Sequence, residues 1–556
     1  MTSRQQAAER SLHEQHNPLP KEKIIPVFLS LAIPLLVTFI DQNGIGVTLP
    51  TIARDLDAED SISWAGTSSL IANASCQMLY GRLSDIFGRK AIYLGAISCL
   101  AIAELLCSFA QNDVMFYVFR GIAGIGGGGL INLSMIIVSD VVSLEEKGYY
   151  QGILGAFIGM GNVIGPFLAA AFITHISWRA FFWTTAPLTA VLGGISLYTL
   201  PSNLPTRSFR ESAKKIDYGG VLLSTMSIIF LLIPISGGGA YFPWVSPMVV
   251  SMLVLGSIAL LLFILWEWRI ARLPVIPMQI FRNSDVSILL VQNFFLGGVY
   301  QALIYYLPLY LQNVRRFSVM QSAGIVAIPV GVQALASALS GRYISQVKRW
   351  KMVVCTGLFL WTLGAGLVLL YRDNSSMGLI AGPLVIMGFG IGCSFQPILT
   401  ALQSHATRSR RAVIISTRNF FRCAGGSAGL GISAAVLQAV LKKSLPQDYQ
   451  YLALNAYTLP EIKDSDVGIV LNAYMAASRA VFVLQLSLVS VCLIGCVFVR
   501  DHGLRSLEEE DEEEEIVGNE ELAHEQQGPR PNEKTVAANR PNEGVTTMES
   551  EEPAAD

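Results

Sequence analysis

Residues 81–90 read Gly81-Arg82-Leu83-Ser84-Asp85-Ile86-Phe87-Gly88-Arg89-Lys90, a short run of two glycines, three cations and one carboxylate between two long apolar stretches. Each flanking stretch is long enough to cross a bilayer. The glycines permit a tight turn between antiparallel helices, the cations are expected to hold the segment on the cytosolic side, and Asp85 gives them a local partner. The segment is therefore expected to work as a latch, although the cations alone fit a basic turn that only sets topology.

Outward from this segment, apolar runs recur along the chain. Of 556 residues, 52% are hydrophobic and 14% charged, and the mean hydropathy is +0.49. Charge is confined to short segments between those runs, the profile of an all-α polytopic membrane protein. Approximate spans are 25–49, 61–80, 91–110, 114–138, 149–173, 180–200, 218–236, 246–266, 287–312, 321–340, 352–371, 377–400, 412–440 and 473–499. These fourteen segments each approach the ~20 residues that a transmembrane helix needs.

Cations concentrate in alternate loops, at Arg82, Arg89 and Lys90; Lys147; Arg207, Arg210, Lys214 and Lys215; Arg269, Arg272 and Arg282; Arg342, Lys348, Arg349 and Lys351; and Arg408, Arg410 and Arg411. The first opposite loop is net acidic, with Arg54, Asp55, Asp57, Glu59 and Asp60. This asymmetry predicts cytosolic termini. The N-terminal tail, residues 1–24, is polar and is expected to stay uncleaved. The tail at 500–556 contains an almost wholly acidic run from Glu508 to Glu515 and reads as disordered and cytosolic. The eight cysteines all fall in apolar spans, which suits packing and implies no disulfide framework.

The latch recurs. Gly341-Arg342 followed by Lys348-Arg349-Trp350-Lys351 repeats the glycine, the arginine and the later basic pair, with the same step from Gly341 to Arg349 as from Gly81 to Arg89. Each latch follows the second helix of a six-helix half. The expected organisation is therefore a first half at 25–200, a linker at 201–217, two inserted helices at 218–266 and a second half at 287–499. The first latch resembles the signature loop between helices 2 and 3 of the major facilitator superfamily, and the resemblance extends over roughly five hundred residues. It implies the major facilitator fold; the inserted pair is expected to be a peripheral structural hairpin, since most residues of helical bundles serve packing.

Span five contains Gly152, Gly155, Gly159, Gly161, Gly165 and Pro166. Small residues at this spacing allow close helix approach, and the Gly-Pro pair permits a bend. The set Gly152, Gly161, Gly165 and Pro166 resembles the fifth-helix motif of proton-linked drug exporters, with Ala169 and Ala170 where that pattern ends in two glycines. In span four, residues 124–129 formally match a dinucleotide fingerprint. No strand precedes them and an apolar span surrounds them, so that reading is rejected.

Arg120 lies in the same span. A permanent charge there predicts an inner position and a carboxylate partner, and Arg120 resembles the fourth-helix arginine of the family's proton relay. Counted from Ile25, Asp41 lies ~24 Å along span one, and Arg120 lies ~9 Å below the outer end of span four. Glu104 also reaches the outer half. Either acid can thus pair with Arg120, and Asp41 is preferred because first helices of this superfamily line the cavity while third helices are usually peripheral. The stretch from Asp41 to Pro50 resembles the first-helix motif of the fourteen-span drug exporters at its Asp, Leu and Pro, with Asn43 and Gly44 replacing the usual Thr and Ile.

Gln42, Asn43, Gln292, Asn293, Tyr300, Gln301, Tyr305, Tyr306, Gln396, Asn419 and Arg422 supply polar and aromatic groups for a cavity wall. Singly, each fits a bond between helices. As a set they describe a large mixed site suited to amphipathic organic molecules. The resemblance implies a proton-coupled exporter of drugs, toxins or secondary metabolites working by alternating access.

Alternatives are a same-fold nutrient transporter, such as a vacuolar carrier of basic amino acids, and a membrane sensor without transport. A sugar carrier is disfavoured because Pro201-Ser202-Asn203-Leu204-Pro205 stands where its signature is expected. No metal cluster, nucleophile constellation or nucleotide loop is read in a credible context, so neither an enzyme nor a cofactor or metal is expected, and a proton gradient supplies the energy. The expected partners are the lipid bilayer, protons and a small organic substrate, with no nucleic acid and no obligate protein partner. Plasma membrane is the first expected location and vacuolar membrane the second. Asn374-Ser375-Ser376 fits a glycan acceptor.

Overall fold

The computed structural model describes residues 20–58, 61–62, 64–201, 214–238, 242–372, 375–406, 410–453, 467–501 and 503. Asn374, Arg207, Arg210, Arg408 and the acidic run at 508–515 lie outside the described residues. Among the described residues no strand forms, apart from one isolated bridge between Gly238 and Phe242. Helices account for most of the described residues because a chain in hydrocarbon must satisfy every backbone polar group internally.

Fourteen long helices are present among the described residues: α1 Lys21–Asp55, α2 Trp64–Phe87, α3 Arg89–Ser108, α4 Asp113–Val141, α5 Leu144–His175, α6 Trp178–Thr199, α7 Tyr218–Gly237, α8 Pro247–Arg269, α9 Ser284–Asn313, α10 Val319–Val347, α11 Lys351–Val368, α12 Met377–Ser404, α13 Arg411–Ser444 and α14 Val467–Phe498. Thirteen are long and apolar enough to cross a membrane; α2 falls short because Asn73, Gln77, Arg82 and Asp85 dilute it. Local chemistry sets several starts. Asn112 accepts from the Met115 amide, Ser177 from Ala180 and Ser246 from Val249. Ser318 and Gln321 form a reciprocal capping box at α10.

Packing repeats along the chain. In the first half α1 lies against α5 and α6, α2 against α4, and α3 against α4 and α6. In the second, α9 lies against α13 and α14, α10 against α12, and α11 against α12 and α14. The halves meet where α5 runs along α10 and α2 along α13. The inserted pair α7 and α8 is joined to both halves, since α7 packs on α2 and on α13. Its position across the seam is more integral than that of a peripheral hairpin.

The latch differs in detail from its expectation. Gly81 does not turn the chain; it lies within α2, and the turn is made at Gly88 alone, whose φ is +93°. The equivalent position of the second latch is Lys348, with φ +61°. Both turns thus use a positive φ, but not one conformation: ψ is 144° at Gly88 and 17° at Lys348, which is left-handed helical.

Candidate functional site

The charged centre of the first half is assembled from α1, α3, α4 and α6. Nη1 of Arg120 donates to both oxygens of Asp41, each at 2.9 Å, and both side chains are almost fully buried. Nε of Arg120 has no acceptor, and its guanidinium carbon stands 5.9 Å from the centre of the Phe182 ring. Glu104 is fully buried beside this pair, close enough to feel both charges. Its Oε2 accepts from the Thr189 hydroxyl at 3.1 Å, and its Oε1 has no hydrogen-bond partner. Glu104 therefore faces the interior through α6 and not the headgroups. Sequence offers no sign of Thr189, an ordinary hydroxyl in an apolar span. A buried ion pair flanked by a second carboxyl places one arginine in the field of two acids.

A polar seam crosses between the halves. The Asn132 amide nitrogen, on α4, donates to the Gln77 carbonyl at 2.8 Å and the Ser416 hydroxyl at 2.7 Å, while its oxygen accepts from Asn419 at 3.0 Å. Arg418 donates to Asn419 at 2.8 Å and to the Phe395 carbonyl at 2.7 Å. A second crossing runs from Asn43 to Asn162 at 2.6 Å and on to the Tyr300 hydroxyl at 3.1 Å. Tyr300 meets Phe395 edge-on at 5.6 Å, and Arg422 lies 5.6 Å from the same ring. Asn132, Asn162 and Arg418 join this group, and sequence alone does not single them out. Arg418 nonetheless carries the same signal as Arg120, a charge inside an apolar span.

The other expected cavity residues make separate contacts, some within one half and some across both. Gln292 donates to the Cys492 carbonyl at 2.8 Å and so binds α14, Asn293 bonds back to Leu289 in its own helix, and Tyr306 bonds the Leu430 carbonyl. Gln42 approaches Gly127 on α4, and Gln396 approaches Gly155 on α5. Gln301 stands beside Gly426 on α13, while the Tyr305 hydroxyl reaches toward Gly66 on α2.

The glycines of α5 serve two interfaces. A Cβ on Gly152 would stand 3.0 Å from the Gly341 Cα, and one on Gly159 would stand 2.6 Å from the Ala334 Cβ, both on α10. Gly161 and Gly165 instead face α1, where a Cβ would stand 2.7 Å from the Leu36 oxygen and 2.6 Å from the Ile40 oxygen respectively. Pro166 is accommodated within α5. Gly81 does on α13 what Gly341 does on α5: a Cβ on Gly81 would stand 3.1 Å from the Ser416 Cβ.

Around the first latch, Arg89 pairs with Asp85 at 2.6 Å and with Asp140 at 2.7 Å, Lys90 donates to the Leu200 carbonyl, and Arg82 donates to the Pro274 carbonyl beyond α8. In the second latch Lys348 carries the ion pair, to Glu145 at 2.6 Å, while Arg342 and Arg349 are exposed. The halves thus close on each other at the latch end.

Two six-helix halves related by repeated packing, with buried charge in each and a polar seam between them, define a membrane transporter. The chain belongs to the Major Facilitator Superfamily, whose profile matches residues 31–430. It is 43% identical over 514 residues to Citrate exporter 1 of Yarrowia lipolytica, covering 91% of this chain and 76% of that protein. It is 40% identical over 498 residues to the MFS-type transporter clz4 of Cochliobolus lunatus, covering 89% of each. Among solved structures it resembles the human organic anion transporter MFSD10, with TM-score 0.57 and 15% identity over 85% of this chain and all of that one. At that identity the likeness concerns the fold alone.

Proposed function

We propose that this transporter is a proton-driven exporter of small organic molecules, with Asp41, Arg120 and Glu104 as the coupling group. The observation that carries the reading is the buried Asp41–Arg120 pair with a second carboxyl beside it. The name of the Yarrowia relative supports export as the direction. Placing the latch in the cytosol, as the loop charges favour, makes the closed-latch conformer outward-facing and both termini cytosolic. A proton arriving from outside neutralises Asp41 and weakens its hold on Arg120. Glu104 offers the arginine its free oxygen, the site rearranges, and the balance between conformers moves. Opening then separates Asn132 from Ser416 and Asn419, and the glycine contacts of α2 with α13 and of α5 with α10. Plasma membrane is the setting in which such an exporter uses an external proton supply directly.

The test works whichever compound the protein carries. Vesicles holding the full chain and a pH-sensitive dye are given a proton gradient and screened with organic compounds. At least one compound should dissipate the gradient in wild type and none in Asp41→Asn. Proton movement that survives in Asp41→Asn contradicts the assignment.

A further inference from the structure

Helix α13 holds two arginines one turn apart, Arg418 and Arg422, ~10 Å and ~16 Å from its start at Arg411. The second of these is near the middle of a ~30 Å hydrocarbon core. Arg418 is fully buried; its two terminal nitrogens bond Asn419 and the Phe395 carbonyl, and its Nε has no acceptor. Arg422 is half-buried, and beyond its place over the Phe395 ring it has no hydrogen bond or ion pair among the described residues. No carboxylate stands against either guanidinium among the described residues. The buried acids on the helices of the first half are engaged elsewhere, Asp41 with Arg120, Glu104 with Thr189 and Asp140 with Arg89.

The contrast with Arg120 is informative. That arginine is neutralised within the fold by Asp41. Arg418 and Arg422 are permanently charged, repel each other at this spacing, and sit where unpaired charge is costly. The aromatic face of Phe395 offsets only part of that cost. The polar amides nearby do not help, because Asn132 and Asn419 are largely occupied with each other, Ser416 and Gln77. The counter-charge to these two cations is supplied by none of the described side chains.

We infer that it is the substrate: a small organic acid with two or more carboxylates, bound by Arg422 and the free edge of Arg418. A guanidinium takes a carboxylate through two parallel hydrogen bonds. Side chains four residues apart on a helix start ~5–6 Å from each other, a spacing that suits carboxylates two or three carbons apart. Phe395 and Tyr300 provide an apolar wall for the carbon skeleton. Arg418 also holds Asn419, and Asn419 holds Asn132 of the other half. Recruitment of Arg418 to a carboxylate therefore acts directly on a bond that keeps the halves together. This inference rests on the exporter reading and narrows its substrate from amphipathic molecules in general to organic anions.

The test measures binding, which is independent of proton movement. Radiolabelled citrate is the probe, with the full chain purified in detergent and each variant checked for a monodisperse elution profile. Wild type should bind citrate saturably, and unlabelled tricarboxylates but not triethyl citrate should displace it. Arg422→Gln should weaken binding by about tenfold or more, as expected for loss of a charge-assisted pair. Arg422→Lys should retain an intermediate affinity because it keeps charge without the bidentate fork. Absence of saturable binding in monodisperse wild type, or equal binding by Arg422→Gln, overturns the inference. Proton-coupled transport of an uncharged compound by protein that does not bind citrate overturns this inference alone and leaves the exporter reading intact. Citrate binding by protein that never moves protons supports the anion site and removes the proton-driven reading.

Discussion

Arg120 is bonded to one acid and feels the charge of another, so its two neighbours are expected to differ under mutation. Asp41→Asn removes the charge that Arg120 now contacts through both oxygens. Purified protein should be less stable to denaturation by about 3–5 kcal/mol, the range for stranding one member of a buried pair. Glu104→Gln keeps a polar group for Thr189 and leaves the Asp41 pair intact; transport should slow by about tenfold, the equivalent of one charge-assisted bond, without being abolished. Initial rates in vesicles check this ordering. The Asp41–Arg120 meeting was legible only in part: depth along the helices left Asp41 and Glu104 both open, and the family resemblance favoured Asp41. Arg418 lies in an apolar span as Arg120 does, but the sequence reading did not single it out. Its lack of an acid was not visible, because pairing between helices far apart in sequence has no local signature. Asp140 was hidden for the same reason: its partner Arg89 comes from a different helix end.

At the scale of helices, the glycines decide how closely the halves approach. Gly341 has no room for a side chain between Gly148 and Gly152. Gly341→Ala should cost the closed-latch conformer about 1–3 kcal/mol through overpacking, a shift of roughly 5- to 150-fold in the balance between conformers. Cysteine accessibility at positions lining the latch end should rise accordingly. The fourteen segments were legible from apolar run length, α2 least so because polar residues dilute it. Helix ends were less so: α1 continues to Asp55 and α2 to Phe87 because a helix does not stop where the apolar run does. The same continuity puts Gly81 inside a helix, where it serves packing. The charge repeat in the second latch was legible as pattern only, since Lys348 and not Arg342 or Arg349 makes its ion pair.

At the scale of the whole molecule, proton coupling requires that protonation at one buried carboxyl change which end of the bundle is open. The response should not come from the Asp55–Arg179 pair at the opposite end. Hydrogen bonds from Arg179 and Trp178 hold the Asp55 carboxyl below its ordinary range. A lowered value means that this pair contributes at every pH above the ordinary carboxylate range and is lost only as pH falls through the lower, folded-state value. Between about pH 4.5 and 8 it is constant. The most direct measurement is the distance between spin labels at Ala91 and Met352, exposed positions at the latch ends of α3 and α11. It is made across that pH window in a chain whose eight native cysteines are replaced. Control by Asp41 predicts a short-distance population at neutral pH that gives way to longer distances in acid, and long distances at every pH in Asp41→Asn. A wild-type distribution that ignores pH, or an Asp41→Asn protein that still follows it, contradicts the claim that Asp41 governs the change.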